Sequence, residues 1–208
     1  MRSSAMTGSG FLAIWSDVTP EQETDYLHWL TREHTIERLS VDGFLAVRVY
    51  RSSLTDVCRY FIHYELRSPE VLGSSAYLAR LNAPTPWSQR IMPILGNFVR
   101  GGGRVVAKAG RGRGCALAAL KLDSLTSIAS EALVENVAKG DRIVAAALLE
   151  TDQEQTSIQT REKRMRERDR SFAGLLLIEG LDEYAVLSAV GHLNLQSFET
   201  TYAQVFNL

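Results

Sequence analysis

The sequence predicts an α+β fold in which one pattern of strands and helices occurs twice. Strand-like and helix-like segments follow one another in the same order in residues 11–109 and in residues 115–208. The strand-like segments are short, and several of them alternate between two sets of side chains with a period of two. Each half predicts a strand, a helix, two strands, a helix and a last strand. This βαββαβ order is the ferredoxin-like unit, so we expect two such repeats in one chain.

The first repeat follows residues 1–10, which are small and polar and which we expect to form a flexible tail. Thr19-Pro20 favours a helix start because proline is tolerated in the first turn, and Asp42-Gly43 favours its end. The predicted strands are 11–18, 44–51, 58–67 and 97–109, and the predicted helices are 21–39 and 69–81, with a loop or short helix at 87–95. The second and third strands are expected to form a hairpin.

Residues 110–114 are rich in glycine and arginine and are predicted to join the two repeats. In the second, more degenerate repeat the predicted strands are 115–122, 142–151, 173–181 and 200–208, and the predicted helices are 127–139 and 182–195. Residues 156–172 form a charged insertion without a counterpart in the first repeat. Ile158, Met165 and Phe172 are spaced seven residues apart in it, which predicts a helix with a narrow apolar seam and a solvated charged face.

Both helices of a ferredoxin-like unit lie on one face of its sheet, so the other face must be covered. In a chain with two such units, the two uncovered sheets can cover each other. We therefore predict that the repeats pack sheet to sheet as an intramolecular pseudo-dimer, with the functional site in the first repeat.

Composition excludes several classes of protein. The chain has 208 residues, 45% of them hydrophobic, and a net charge of -1, which is typical of a globular protein and not of a disordered one. No apolar run approaches the roughly 18–20 residues that a membrane helix needs, and the first ten residues lack the apolar stretch of a secretory signal. We expect a cytoplasmic protein. Cys58 and Cys115 have neither disulfide-framework nor metal-ligand spacing, so we expect two buried thiols and no metal.

Several motifs in the first repeat carry a family resemblance. Trp29 and the pair Glu33-His34 lie on the first predicted helix, and Gly43-Phe44 precedes a strand that bears Arg48. These motifs, together with Ala76-Tyr77 and the segment 84–88, resemble the dimeric α+β barrel superfamily in its EthD-like and related branches. The resemblance covers about residues 11–104. It implies a ferredoxin-like fold, pairing of two sheets and a small pocket between helix and sheet. Relatives include isomerases, cofactor-free oxygenases and haem enzymes, so the resemblance implies no single reaction.

His34 and Arg48 are the candidate catalytic residues. His34 lies on the inward side of the first helix, where a neutral imidazole can exchange a proton with a bound ligand. In the alternative interpretation it caps the helix or binds a buried carbonyl. Arg48 is the candidate for holding an anionic oxygen of the substrate.

The candidate substrate-binding residues are aromatic side chains that can wall a pocket and two polar residues on the third strand. They are Trp15, Trp29, Tyr50, His63, Glu65, Tyr77 and Trp87. His63 and Glu65 share one face of that strand, and Arg48 can approach them from the neighbouring strand if the register allows. Core packing for the aromatic residues, and a buried network for the polar ones, are the alternatives.

Charge distribution favours an anionic ligand and argues against nucleic acid. No acidic residue occurs between Glu70 and Asp123. The insertion is basic but contains three carboxylates, the pI is about 6.4, and no RNA-binding motif is present. The glycine clusters 101–103 and 110–114 do not match a phosphate-binding loop, so a bulged strand and a junction explain them better.

Together these patterns predict a small-molecule-binding protein. One hypothesis is a cofactor-independent isomerase, cyclase or oxygenase that acts on a small anionic or aromatic substrate. The alternative is a non-catalytic binding or structural protein of the same fold, and a third option is a haem protein with His34 as the axial ligand. We expect no cofactor, no nucleic-acid partner and no membrane partner, and a homodimer of the pseudo-dimeric chain is the assembly to look for.

Overall fold

A computed structural model describes residues 8–52, 57–125, 131–166, 169–193 and 200–208, and its strands close into one eight-stranded antiparallel barrel. The strands are β1 Gly10–Val18, β2 Phe44–Ser52, β3 Cys58–Leu66, β4 Gly96–Gly110, β5 Ala116–Leu122, β6 Ile143–Thr151, β7 Gly174–Gly180 and β8 Thr201–Asn207. The helices are α1 Pro20–Trp29, α2 Thr35–Leu39, α3 Ser75–Asn82, α4 Pro86–Ile91, α5 Glu131–Ala138, α6 Gln153–Ser157, α7 Arg161–Arg164 and α8 Glu183–Gly191. Within this described part, no helix is long and apolar enough to span a membrane.

The strands follow one another around the barrel in the order β1-β3-β2-β8-β5-β7-β6-β4. The first four strands of the chain are contiguous in the order β4-β1-β3-β2, and the last four in the order β8-β5-β7-β6. Pairs β2–β8 and β4–β6 join the two groups. Because the sheet closes on itself, it exposes no unpaired edge to another chain.

Side chains of the barrel pack into three cores, one inside the barrel and one under each group of helices. Strand β1 contributes to two of these cores, because both of its faces are covered and all nine of its residues are buried. Ile14 packs in the core that includes α1, whereas Ala13 and Trp15 pack inside the barrel. A strand that is covered on both faces reads as a continuous apolar run, as β1 does.

Pairing of β2 with β3 confirms the predicted hairpin, and its register places Arg48 directly opposite His63. The bulge predicted for the glycine cluster 101–103 is not found there: β4 pairs with β1 without a shift from Gly101 to Arg104, and its register against β6 shifts later, between Val105 and Ala107. Gly103 lies against the neighbouring backbone: a Cβ there would stand 2.1 Å from the carbonyl oxygen of Glu150. Close approach of backbones, and not phosphate binding, accounts for this glycine.

The predicted first helix, 21–39, is one helical segment with an irregular middle. Residues Leu30–His34 form a turn of π-helix between α1 and α2. At its end the backbone N–H of Thr35 donates to the carbonyl of Leu30, five residues earlier. The extra residue rotates the following side chains about the helix axis, and such turns recur at functional sites.

The prediction of a continuous helix for the insertion 156–172 is wrong. The chain there forms α6 and α7 with an extended Thr160 between them, whose hydroxyl accepts a hydrogen bond from the backbone N–H of Lys163. Met165 packs against the core under α1, while Phe172 lies inside the barrel. The predicted seam does not form because its members enter different cores.

Three further predictions concern the two cysteines, the ends of two helices and the first residues of the chain. Cys58 is buried as expected, but Cys115 is exposed and its thiol lies 2.9 Å from the carbonyl oxygen of Leu181, so the prediction of two buried thiols is wrong for Cys115. The start of the helix predicted at 127–139 and the end of the one predicted at 182–195 fall partly outside the described residues. Most of the predicted tail, residues 1–7, also lies outside them.

Candidate functional site

A small cavity lies between the helical layer of the first half and the outer face of its sheet; we call it the His34 cavity. Its volume of about 30 Å³ is room for one or two water molecules. Its polar and aromatic lining comprises Ser16, Tyr26, Trp29, His34, Arg38, Tyr77, Arg100, Thr160, Glu162, Lys163 and Arg166. The insertion therefore supplies one wall of a cavity that otherwise belongs to the first half.

The π-helical turn positions His34 in this cavity. His34 is the last residue of the turn, and only 4% of it is exposed. Its ring lies 4.2 Å from the ring of Trp29, centroid to centroid. Its Nδ1 is buried and has no hydrogen-bond partner among the described residues. Since an imidazole always has a donor or an acceptor at each nitrogen, this atom is available to a ligand.

Burial lowers the pKa of His34 well below its ordinary value of 6.5, and the positive charges of Arg38 and Arg166 lower it further. The imidazole is therefore neutral at neutral pH. The neutral imidazole is the form that can accept a proton. Burial and the two cations disfavour the protonated ring, so the transfer requires that the cations stabilise the anion left behind more strongly.

Hydrogen bonds hold the aromatic wall in place. The indole Nε1 of Trp29 donates to the hydroxyl of Ser88 at 3.1 Å. The hydroxyls of Tyr26 and Ser16 are bonded to each other at 3.0 Å. The Arg100 guanidinium donates to the hydroxyl of Tyr77 at 3.2 Å. These side chains are pre-set by the fold and do not need a ligand to order them.

A buried ion pair closes the cavity on the insertion side. Arg38 on α2 donates to the carboxylate of Glu162 on α7 at 2.5 Å, and both side chains are almost fully buried. Burial works to lower the pKa of Arg38, but the charge and the hydrogen bond of Glu162, together with Tyr77 and Tyr64, outweigh it and the pKa is raised. The pair contradicts the expected solvated face of the insertion, because Glu162 is buried. A buried carboxylate requires a partner, and Arg38 supplies it.

A surface depression of about 410 Å³ adjoins the His34 cavity; we call it the basic depression. Arg100, Lys163 and Arg166 line both spaces. Asp169 pairs with Arg166 at 2.7 Å, whereas Arg100 forms no ion pair within the described ranges. Burial, and then the charge of Arg100, lower the pKa of Lys163. Positive charge therefore lines the boundary between the cavity and the surface.

The structure divides the predicted site residues between separate places. Trp29, His34 and Tyr77 meet at the His34 cavity. Trp15 lies inside the barrel, where its indole donates to the hydroxyl of Tyr202 at 3.1 Å. Trp87 is a half-buried residue of α4 that lines neither the His34 cavity nor the basic depression, and its indole donates to Asp25 of α1 at 3.0 Å.

Arg48, His63 and Glu65 do not reach the His34 cavity. They line a second space of about 40 Å³ inside one end of the barrel, the barrel-end cavity, together with Glu179 of the second half. Tyr50 is next to it, with the guanidinium of Arg48 5.6 Å from the centre of its ring. The single pocket expected from the sequence is thus two cavities on opposite faces of one sheet.

Sequence reasoning missed most of the charged residues of the His34 cavity. Arg38 had an available signal, since it follows His34 by four positions and residues four apart share a helix face. Arg100 belongs to the acid-free interval that favoured an anionic ligand. Glu162 had no local signal, because its partner is 124 residues away.

No group of three metal-ligating side chains occurs among the residues that the structure describes. A haem group does not fit the His34 cavity either. A porphyrin is many times larger than a space of about 30 Å³, and the ring of His34 packs against that of Trp29 at 4.2 Å between centroids. Haem ligation by His34 would require both the aromatic wall and the Arg38–Glu162 pair to separate.

Replacing His34 by glutamine is expected to weaken the pH dependence of stability. Because burial depresses the pKa of His34 in the folded chain, the unfolded chain binds more protons below roughly pH 6.5 and stability is lost as the pH falls. Between about pH 7 and pH 5, the wild type should lose about 1–2 kcal/mol more of its free energy of unfolding than His34→Gln. Urea unfolding at both pH values measures this difference, and equal losses would contradict it.

Comparisons with known proteins match the fold and not the sequence. No protein-family model and no curated protein matches this chain. An anthrone oxidase-like protein superposes with a TM-score of 0.58 over 98% of this chain and 94% of its own, at 10% identity. A proposed monooxygenase from Fusobacterium nucleatum subsp. nucleatum gives 0.52 over 97% and 93%, at 12% identity. Chlorite dismutase from Candidatus Nitrospira defluvii, in complex with imidazole, gives 0.47 over 96% and 92%, at 13% identity.

The first two of these structures support the α+β barrel part of the resemblance, since they superpose over almost the whole chain. At 10% and 12% identity the likeness concerns the fold alone. The placement in an EthD-like branch stays a prediction.

Proposed function

We propose that the chain binds a small acidic, planar molecule in the His34 cavity and the adjoining basic depression, and that His34 takes a proton from it. The observation that carries this proposal is the buried, unpartnered Nδ1 of a neutral imidazole in a cavity bordered by cations. Buried polar atoms are nearly always paired. An unpaired nitrogen that lines a cavity is therefore a candidate for ligand contact.

The charges around the two spaces select an anion. Arg38, Arg100, Lys163 and Arg166 face them, against the carboxylates of Glu162 and Asp169. Trp29 and Tyr77 offer flat apolar surfaces to a ring. The cavity alone is too small for a ring, so binding requires the α7 segment that carries Glu162 to move outward. The ligand's acidic group would lie toward Arg100 and Lys163.

Proton transfer is the step that this geometry serves. His34 accepts the proton of an acidic C–H or O–H group, and the adjacent guanidinium groups stabilise the resulting oxyanion. We propose dioxygen as the co-reactant: a ring CH₂ group then becomes a carbonyl, and the second oxygen atom leaves as water. This is cofactor-independent oxygenation, and isomerisation of the same anion is the alternative outcome.

The small volume of the His34 cavity favours a second candidate, a non-catalytic protein of the same fold. In that case one or two water molecules would satisfy His34 Nδ1 and the polar lining would serve only the stability of the core. The two candidates differ in whether any acidic ligand binds.

Thermal-shift and calorimetric titrations with paired ligands test the proposal. Phenols and carboxylates of one to three aromatic rings are compared with their methyl ethers and esters, which keep the shape and lose the acidic proton. We expect acidic members to raise the Tm of the wild type and their neutral partners to leave it unchanged. In His34→Gln the affinity should fall at least about tenfold, which corresponds to about 1.4 kcal/mol.

The matched control is His28→Gln, since His28 lies on α1 and lines neither space. It should bind as the wild type does. Equal binding of acids and esters, or unchanged affinity in His34→Gln, would refute the proposal. Oxygen uptake with a bound phenol that also carries a ring CH₂ group, present in the wild type and lost in His34→Gln, separates oxygenation from binding.

The proposal extends to the organisation of the chain. The two contiguous strand groups share one strand order, and this supports the interpretation of residues 11–109 and 115–208 as ferredoxin-like repeats fused into an intramolecular dimeric α+β barrel. A cytoplasmic location and a homodimer of the chain are proposed with it. Separately expressed halves should bind a dye for apolar surfaces that the intact chain does not bind.

A further inference from the structure

The barrel-end cavity is a second site candidate, separated from the His34 cavity by the sheet. Consecutive residues of a strand point to opposite faces, and β3 shows this directly: Ile62 lines the His34 cavity, whereas His63 lines the barrel-end cavity. The space of about 40 Å³ lies between strands of both halves, because Arg48 and His63 come from the first half and Glu179 from the second.

His63 in this cavity is buried without a hydrogen-bond partner. Only 7% of the residue is exposed, and neither ring nitrogen is bonded to any group in the described ranges. An imidazole has a donor at one nitrogen and an acceptor at the other in its neutral form. Both are therefore unsatisfied, and each unmade bond is costly in a buried place. The Nε of Arg48, directly opposite on β2, is also without a partner in the same part of the chain.

The carboxylates of the cavity are already neutralised. Glu179 accepts two hydrogen bonds from Arg48, at 2.7 and 3.0 Å, and one from the backbone N–H of Gly114 at 3.1 Å. Glu65 accepts a hydrogen bond from Arg113. The exposed Lys108 also lines the cavity, and within the described residues it forms no ion pair. The cavity is lined by three cations, Arg48, Lys108 and Arg113, and by the two carboxylates. The excess of positive charge favours an anion and disfavours a metal ion.

The rest of the lining is apolar. It consists of Gly8, Gly10, Phe11, Val105, Ala145, Ala146, Ala147, Leu149 and Leu177. Ala147 of β6 packs inside the barrel and Ala146 in the core outside it, so the small side chains of Ala145 and Ala147 leave room beside the polar group. A ligand that suits both parts has one compact anionic head and a short apolar tail.

We propose that the barrel-end cavity binds a small monocarboxylate, whose oxygens accept hydrogen bonds from the N–H of His63 and the Nε–H of Arg48. Lys108 stands at the entrance and attracts the anion. The site is independent of the His34 cavity, and it needs both halves of the chain. A single half would lack Glu179, which holds the guanidinium of Arg48 in position.

Titration of the full chain with acetate and propionate, followed by calorimetry and by the ¹⁵N spectrum of the histidine side chains, tests this proposal. Acetamide is the neutral control for acetate. We expect acetate and propionate to bind and to shift the His63 nitrogens, while acetamide does neither. His63→Phe removes the imidazole, keeps an aromatic ring beside Phe61 and should weaken acetate binding at least tenfold.

Three further variants separate acetate binding at this site from other effects. Lys108→Gln changes an exposed residue and should weaken acetate binding several-fold, whereas Lys139→Gln, an exposed lysine on the other half, should not. His34→Gln should bind acetate as the wild type does, so the failure of one site does not decide the other. Binding of acetamide as strong as acetate, unchanged binding in His63→Phe, or a crystal soaked in acetate that shows only water beside His63 would overturn the proposal.

Discussion

Glu162→Gln is expected to lower the free energy of unfolding by about 3–5 kcal/mol. The substitution removes the nearer carboxylate beside the guanidinium of Arg38, whose residue is only 2% exposed, and leaves Glu37 at 4.0 Å. Loss of the hydrogen-bonded partner of a buried charge is among the few changes that cost this much. Urea unfolding of the two chains at neutral pH, extrapolated to water, measures the loss.

Two comparisons show whether the loss comes from the ion pair. Arg164→Gln lies on the same short helix at an exposed position and should change the free energy of unfolding by no more than about 0.5 kcal/mol. The double variant Arg38→Met and Glu162→Leu removes both charges and should lose much less than either single variant, because apolar replacements of a buried pair are often neutral. A loss below about 1 kcal/mol for Glu162→Gln would mean that the insertion does not pack on α2 as described.

Phe172→Ala is expected to destabilise the chain by about 3–5 kcal/mol, the usual cost of truncating a buried phenylalanine. Phe172 ends the insertion and packs inside the barrel, where its ring meets that of Trp15 edge-on at 5.4 Å between centroids. The ring also fills the space above Gly101, where a Cβ would stand 2.4 Å from it. The same unfolding experiment measures the effect, and Tyr184→Ala, at a 72% exposed position, is the control.

The contact between Phe172 and Gly101 predicts that substitutions at these two positions have non-additive effects on the free energy of unfolding. Gly101→Ala should destabilise the wild type by about 1–3 kcal/mol through overpacking, and it should cost less in the Phe172→Ala background, where the ring is gone. A double-mutant cycle isolates this term. Additive effects would show that the ring does not lie over Gly101.

These variants matter for function because the insertion forms a wall of the proposed site. Glu162 and Phe172 anchor it at two places, one against α2 and one inside the barrel. Arg166 adds a third contact, since its guanidinium lies 4.0 Å from the centre of the Phe98 ring. In the proposed binding mode α7 moves outward, so the contact between Arg38 and Glu162 must open.

Local patterns in the sequence predict much of the architecture. The alternation of residues 44–51 predicts β2, and proline at position 20 predicts the start of α1, because strand period and helix start depend only on neighbouring residues. The resemblance on the first half points to His34, and the structure places His34 in a cavity. The π-helical turn that orients it has no comparable signal in the sequence.

Local sequence patterns do not predict which of the candidate site residues share a cavity. Trp29 and Tyr77 belong with His34, whereas Arg48, His63 and Glu65 belong to the barrel end. Which face of a strand points outward depends on what covers each face. In a barrel with helices outside and a core inside, both faces are buried, so polarity no longer distinguishes them.

By itself the sequence determined the order of the strands, their periodicity and the start of α1, all of which arise from interactions between near neighbours. The tertiary structure decided the closure of the barrel, the division of the candidate residues between two cavities and the burial of the charged insertion. Glu162 is buried because Arg38, 124 residues away, compensates its charge. Such a contact stabilises the folded chain only when distant segments meet, so no local pattern indicates it.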